Sequence, residues 1–366
     1  MDNTNKKIPD FRYRTPGQRG RDTIYAVNSA IILGIIYGVA EAKISFTWAL
    51  KTAAVSLLSY VVFIAIMACV VFLLQKLVGY TRGDSSISMG MFPTFTMQPP
   101  ADLMTYDELR LMFYGEVFVS FVPCVAAAAM TFIFLNEWFI TAAYALVNFA
   151  LLFCFTEDGN LSRFGRMARI HNDYAAADNI ARSIAIGYRL SQRERFSEMP
   201  KLLFVAPNEI IDMYDYRQSV FCYLRSMEIR DFKRAVILTE RVIKSHYFEQ
   251  LRGLAFITER NAVVADRILS LILDGDPDNK EQARKLYYDN SFWLTEYFND
   301  NVVNMRCQTV QYAYAKLIAV NAEAQAKASA ERFWEAAEGC NINWIVSFYA
   351  GLQLEIETIV KAAEQA

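Results

Sequence analysis

The chain has 366 residues and a formal net charge of −2, with 37 basic and 39 acidic side chains. This balance gives no case for nucleic acid as a partner, because proteins that bind nucleic acid concentrate Lys and Arg on one face. Apolar residues make up 54% of the chain, which is high for a soluble protein and low for a chain that lies in a membrane throughout. A membrane part followed by a soluble part explains that value.

Residues 1–22 are polar and basic, and they contain neither the apolar core nor the cleavage site of a signal peptide. We predict that they form a cytosolic amino-terminal segment and that residues 23–158 form a membrane domain in the lipid bilayer. Four apolar runs in that domain each approach the roughly 20 residues that a bilayer helix needs. They are Thr23–Ala40, Ala53–Leu77, Phe113–Leu135 and Trp138–Phe155.

The basic residues predict the orientation of these four spans. They lie before the first run and after the last, and an even number of spans places both ends on one side. Loops rich in Lys and Arg stay in the cytoplasm. We therefore expect a multi-pass protein of the cytoplasmic membrane with both termini in the cytosol. The flanking basic residues are Lys6, Lys7, Arg12, Arg14, Arg19, Arg21, Arg163, Arg166 and Arg169.

The first run contains Gly34 and Gly38, two small residues at the spacing that lets helices approach closely. Two uses of this motif stay open. The two glycines can pack against another helix of the same chain, or they can join two copies in a homo-oligomer.

The segment between the second and third runs, at about 81–105, alternates apolar and small polar residues. Alternation of this kind predicts two short strands, which would form a β-hairpin at the cytoplasmic face of the membrane. An extended amphipathic loop is the alternative. The apolar positions are Ile87, Met89, Met91, Phe95 and Met97.

The third run contains Glu116. An acid within a membrane span is a candidate for a functional role, because burying its charge is costly. The alternative is that Glu116 lies near the lipid headgroups and is hydrated.

Residues 159–366 are predicted to form a soluble, almost entirely helical domain, since eight segments carry apolar faces at helical spacing. The segments are Ala175–Arg195, Tyr216–Ile229, Phe232–His246, Phe248–Leu273, Asn279–Tyr288, Asn301–Val320, Ala322–Glu338 and Ile345–Ala363. The turn at Arg230–Ala235 resembles the corner of a tetratricopeptide repeat, although the period of about 34 residues is absent. We predict an array of helical hairpins that binds a protein partner on a concave face. A compact helical cap without a ligand is the alternative.

No common catalytic motif is present. His171 and His246 are far apart and form no His-Glu-X-X-His zinc motif, and the chain has no phosphate-binding or nucleophile-elbow motif. We therefore predict no bound metal, no cofactor and no catalytic residue.

The order of elements resembles the site-2 protease family of intramembrane zinc metalloproteases, in particular bacterial members with a helical-repeat cytosolic domain. Three patches carry the resemblance: Leu77–Tyr80, the segment from Phe92 to Glu116, and Glu157–Asn160. The last is similar to the family's Asp-Gly motif, which implies that Asp158 is a remnant zinc ligand. The alternative is that Asp158 is a solvated acid where the fourth span ends at Gly159.

The chain departs from the family at the position of the zinc motif. Counted back from Tyr80, that motif falls on Met67–Val71, where Met67 and Val71 replace the histidines and Ala68 replaces the catalytic glutamate. Hydrolytic zinc needs three protein ligands and an activated water. The resemblance therefore implies a member of the family without catalysis.

Three functions stay open. The first is a non-catalytic, site-2 protease-like subunit or scaffold in a bacterial membrane complex for peptide maturation, export or immunity. In that case an edge strand of the hairpin binds a peptide through Ile87, Met89, Met91, Phe95 and Met97. The second is an accessory subunit of a transporter complex. The third is an active metallopeptidase with a non-standard site of Glu116, Glu157 and Asp158, since clustered acids bind hard cations.

Overall fold

The computed structural model describes residues 45–89, 93–98, 102–119, 121–135, 163–171, 173–250, 257–296, 298, 300–340 and 342–365. The described residues are mainly helical. The chain divides into two compact units, one within Arg12–Ala181 and the other within Arg182–Ala366. We call them the amino-terminal and the carboxy-terminal unit.

The amino-terminal unit is built around α1, Phe46–Leu77. Ser45 caps its start by accepting a hydrogen bond from the Trp48 amide, and Gly79 adopts a φ of +85° just beyond its end. The elements that follow α1 are β1 Thr81–Met89, β2 Pro93–Gln98, α2 Tyr106–Val119, α3 Phe121–Leu135 and α4 Arg163–Ile170. The helix α5, Tyr174–Ser191, begins in this unit and ends in the other. The elements β2, α2 and α3 pack against α1.

The segment at about 81–105 contains two antiparallel strands, β1 and β2, whose ends pair Thr81 with Gln98 and Met89 with Pro93. The register shifts between Arg82 and Ile87, so that the strand pairing is irregular in the middle.

Two of the four predicted spans, Thr23–Ala40 with its Gly34 and Gly38 and Trp138–Phe155, lie outside the described residues. The run Ala53–Leu77 lies within α1. Among the described residues, no helix combines the length and the hydropathy that crossing a bilayer requires.

The run Phe113–Leu135 falls on α2 and α3, which the structure describes on either side of residue 120. A single helix over the whole run stays a prediction.

The carboxy-terminal unit contains the last part of α5 and eight further α-helices among its described residues. They are α6 Met213–Glu228, α7 Phe232–Ile243, α8 His246–Gln250, α9 Ile257–Asp274, α10 Pro277–Leu294, α11 Asn301–Leu317, α12 Glu323–Glu338 and α13 Asn343–Gln365. A short 3-10 helix, Lys201–Leu203, precedes α6.

The tetratricopeptide-like corner is a tight helix–turn–helix. Arg230 ends α6 with a φ of +64°, and Asp231 caps α7 by accepting a hydrogen bond of 3.2 Å from the Arg234 amide. The two helices pack against each other. A helical hairpin therefore forms where the sequence predicted one.

Each alternate helix of this unit packs against the next: α7 on α9, α9 on α11, and α11 on α13. The last helix also reaches α6, since Glu355 lies 2.7 Å from Arg230, and the rings of Trp344 and Phe348 pack edge-on against Phe196. The hairpin array is thus closed by α13 on the side of its first helices.

Candidate functional sites

The interface between α2 and α4 contains the first candidate site. Thr105 and Glu108 start α2 as a capping box: the Thr105 amide donates to Glu108 Oε2 at 2.7 Å, and the Glu108 amide donates to Thr105 Oγ1 at 3.3 Å. Leu109 and Phe113 form part of the buried face of the helix. This face turns Glu116 inward, towards α1 and α4.

Glu116 is only 7% exposed, and its carboxylate lies 3.1 Å from Arg166 Nη2 on α4. Glu116 is therefore buried in the protein rather than hydrated, while its depth relative to lipid headgroups stays a prediction. Beside it, α1 and α2 approach closely, because a Cβ at Gly115 would lie 2.7 Å from Leu74 Cδ2. The missing side chain of Gly115 allows that approach, and the guanidinium of Arg166 neutralises the acid it buries.

Two tyrosines of α2 bind the end of α4. The Tyr106 hydroxyl donates to the carbonyls of Ile170 and His171, each at 3.1 Å. The Tyr114 hydroxyl is hydrogen-bonded to His171 Nδ1. His171 is exposed and lies just after α4, so these hydrogen bonds hold the end of α4 against α2.

The degenerate zinc-motif positions lie in α1. Val71 is buried, Ala68 is half-buried, and the surroundings of the Met67 side chain are outside the description. Glu157 and Asp158 also fall outside it, so a meeting of Asp158 with the α1 positions stays a prediction.

Four of the five peptide-binding candidates lie in the two strands. Ile87 pairs with Phe95, Met89 with Pro93, and Met97 with Arg82. Met91 falls between the described strands. Among the described residues, each of the two strands pairs only with the other, so each has one edge without a partner strand, which the predicted peptide binding requires.

The carboxy-terminal unit contains a buried polar cluster that the sequence analysis missed. Asp266 of α9 is 0% exposed, and it accepts hydrogen bonds from the hydroxyls of Tyr223 at 2.9 Å and Tyr349 at 2.8 Å. Arg306 Nε lies 3.2 Å from the same carboxylate and also donates to the Tyr349 hydroxyl. We call these four residues the Asp266 cluster; they join α6, α9, α11 and α13.

Burial raises the pKa of Asp266, while the Arg306 charge and the two tyrosine hydroxyls act in the opposite direction. Burial likewise raises the pKa values of Tyr223 and Tyr349 well above that of a free tyrosine. With an ion pair and three matched hydrogen bonds in the core, the cluster specifies how the four helices meet. The sequence signal for it was an acid, Asp266, inside the apolar run of α9.

Arg267, next to Asp266, is also buried but faces α7. It donates to the Val236 carbonyl and lies 3.4 Å from Glu240 Oε2 and 3.3 Å from Gln282 Oε1. Burial lowers the pKa of Arg267, and the charge of Glu240 opposes that shift. Arg267 thereby joins α9 to α7 and to α10.

A surface cavity of about 780 Å³ lies between the 208–211 segment and α7, and we call it the α7 groove. Ile211 and Ile237 line it although they are 55% and 64% exposed. Arg241 holds the far wall by donating to the Asn208 carbonyl. The remaining lining residues are Glu209, Ile210, Glu240, Lys244, Ser245 and His246.

The α7 groove combines an apolar floor with a charged rim. Glu240 is paired with Lys244 at 2.6 Å, so the rim carries a hydrogen-bonded ion pair rather than a cluster of one sign. Such a surface fits a chain segment with one or two apolar side chains and polar flanks. In the part of the chain that the structure describes, no group of three or more His, Cys, Asp or Glu side chains could hold a metal ion.

Comparison with protein-family models, with curated proteins and with solved structures found no match for this chain. The resemblance to the site-2 proteases therefore stays a prediction that depends on the three sequence patches alone.

Proposed function

We propose that the protein is a non-catalytic membrane protein whose carboxy-terminal unit binds a protein or peptide partner in the α7 groove. In this proposal, it is a subunit or scaffold of a bacterial membrane complex for peptide maturation, export or immunity, as the site-2 protease resemblance implies. The four apolar runs form the membrane part, and both termini lie in the cytosol.

The membrane location is supported by large apolar side chains on the surface of α1 and α3. Leu58 and Leu73 of α1 are more than half exposed, as are Val125 and Ile133 of α3, the last at 71%. Exposed apolar area costs about 25 cal/mol per Å² in water, and lipid removes that cost. This apolar surface is the single observation that carries the proposal of a membrane protein.

Binding of a partner in the α7 groove is supported by Ile211 and Ile237. Both line one cavity, and both are exposed in it.

The absence of hydrolysis in the proposal is supported by Glu116. Its carboxylate binds Arg166, so a non-standard metal site that includes Glu116 would first have to break this ion pair. This observation does not favour the metallopeptidase alternative.

Alkaline extraction of native membranes tests the location. We expect the protein to stay in the membrane pellet at high pH and to enter solution only with detergent. Release by alkaline buffer alone would contradict the membrane proposal.

Zinc analysis of the purified protein tests the chemistry: stoichiometric zinc, together with peptide cleavage that is lost in Asp158→Ala, would contradict the non-catalytic proposal.

Photocrosslinking tests the groove. A photoreactive residue at position 237 should give one dominant crosslinked species in cells, while the same residue at exposed Lys327 should give none. The species should disappear when Ile211→Asp is combined with the position 237 probe. Equal crosslinking at both positions would show that the groove is not the binding surface.

A further inference from the structure

The exposed side of α2 changes character along the helix axis. Asp107 and Arg110 are exposed in its first turns together with Leu111, Tyr114 follows one turn later, and Phe118, another turn on, is 61% exposed. At 1.5 Å per residue, the step from Arg110 to Phe118 is about 12 Å. Charge, then tyrosine, then exposed apolar residue is the order found where a helix passes from water through the headgroups into hydrocarbon.

The neighbouring helix α1 shows the same boundary. Leu74 lies against Gly115, which sets the relative heights of the two helices. Since α3 follows α2 and packs along α1, and α1 ends only three residues after Leu74, α1 and α2 run in opposite directions. Lys76 therefore lies within about one turn of Tyr114, beside the exposed Leu77, and exposed Leu73 lies one turn further from Arg110.

Two cations at this height are open to an external anion. Arg110 is exposed, with its guanidinium carbon 5.3 Å from the centroid of the Tyr114 ring, and Lys76 is exposed at the end of α1. Neither forms an ion pair with a carboxylate of the described residues. By contrast, Arg166 is bound to Glu116 and Arg169 to Asp173. Arg166 and Arg169 of α4 thus bind carboxylates of the protein itself, whereas Arg110 and Lys76 are exposed.

We propose that Arg110 and Lys76 form a binding surface for the headgroups of anionic phospholipids, with Tyr114 at the boundary between headgroups and hydrocarbon. Charge complementarity and the exposed apolar residues directly beyond Tyr114 favour a lipid layer as the occupant. This inference rests on the proposed membrane location. A cation near an anionic membrane surface strengthens binding about fivefold.

The test uses the full chain purified in detergent and mixed with equal amounts of phosphatidylcholine and phosphatidylglycerol. Native mass spectrometry then counts the lipids of each class that stay bound. We expect the wild type to retain phosphatidylglycerol preferentially, and Arg110→Gln and Lys76→Gln each to reduce that preference about fivefold. Arg110→Lys should retain it. Lys285→Gln, which removes an exposed cation of the carboxy-terminal unit, is the matched control and should change nothing.

The outcomes separate this inference from the proposal beneath it. Equal retention of the two lipids by the wild type would overturn the headgroup surface, even if alkaline extraction shows a membrane protein. Full displacement of phosphatidylglycerol by soluble glycerol phosphate would also overturn it, because the surface would then take a free phosphate and not a bilayer. Release of the protein by alkaline buffer would instead reject the membrane location itself.

Discussion

Asp266 and Arg306 form an ion pair in the core of the carboxy-terminal unit, with 3.2 Å between Oδ1 and Nε and with Asp266 completely buried. The two residues belong to α9 and α11, and the tyrosines that complete the cluster come from α6 and α13. The pair therefore lies where the closing helix of the array meets the helices that it covers. Its energetics bear on whether α13 stays in place.

Removing one partner of this pair should be far more harmful than removing both. Asp266→Asn or Arg306→Met alone leaves part of a buried charge pair without its partner, at a cost of about 3–5 kcal/mol in the free energy of unfolding. The double variant should cost clearly less than the sum of the two. Denaturant unfolding of the full chain measures this, with hydrogen exchange in α13 as the local signal. Additive losses would show that the two charges do not stabilise each other.

Alkaline pH should weaken the same cluster. Burial raises the folded-state pKa values of Tyr223 and Tyr349, so between the unfolded value of about 10 and the folded value the folded state binds more protons than the unfolded state. The stability from these hydroxyls is thus complete below pH about 10 and is lost as the pH rises. The slope should reach about −1.4 kcal/mol per pH unit for each tyrosine.

The measurement is unfolding free energy against pH for the wild type and for Tyr223→Phe with Tyr349→Phe. The double variant should be less stable at neutral pH but should show a shallower alkaline slope. Tyr174→Phe is the control, because Tyr174 is largely exposed. An unchanged slope in the double variant would assign the alkaline loss to other groups.

Glu116 and Arg166 should hold α4 against α2. Glu116→Gln or Arg166→Gln leaves one buried charge, and we expect a loss of about 3 kcal/mol. Because α4 has only two turns, the local effect should be faster hydrogen exchange in Arg163–Ile170, with little change in α9 of the other unit. The pair of substitutions together should restore part of the protection. Equal exchange in wild type and single variants would mean that the ion pair does not hold the helix.

The helices around α10 show which helix bounds could be predicted from the sequence. The predicted Asn301–Val320 and Ala322–Glu338 are close to α11 and α12. The predicted Asn279–Tyr288 is much shorter than α10, Pro277–Leu294. Pro277 lies outside the predicted segment, yet it occupies the first turn of α10 behind the cap Asp276. Local patterns thus find a helix, but cap geometry decides where it begins.

Contacts between residues far apart in the chain could not be predicted from the sequence. Glu116 and Arg166 are 50 positions apart, and Asp266 collects partners from three other helices. An acid in an apolar run shows that a partner is needed, but helix packing decides which residue supplies it. The end of α1 before Gly79 depends on local structure alone, since a glycine with positive φ ends a helix by local sterics.

The contact between Gly115 and Leu74 gives the last prediction. Gly115→Ala places a methyl group 2.7 Å from Leu74 Cδ2, so α1 and α2 must separate or Leu74 must leave its rotamer, at about 1–3 kcal/mol. Leu74→Ala alone removes buried contacts and should cost about 2–5 kcal/mol. Combined, the two changes should cost less than their sum, because the new methyl group fills space that Leu74 vacates.

Gly187→Ala is the matched control: nothing lies within 4 Å of its Cβ, and a helical Ala should stabilise by about 0.5–1 kcal/mol. Thermal unfolding in detergent measures all four variants, and a Gly115→Ala protein as stable as Gly187→Ala would show that the two helices do not need this close approach.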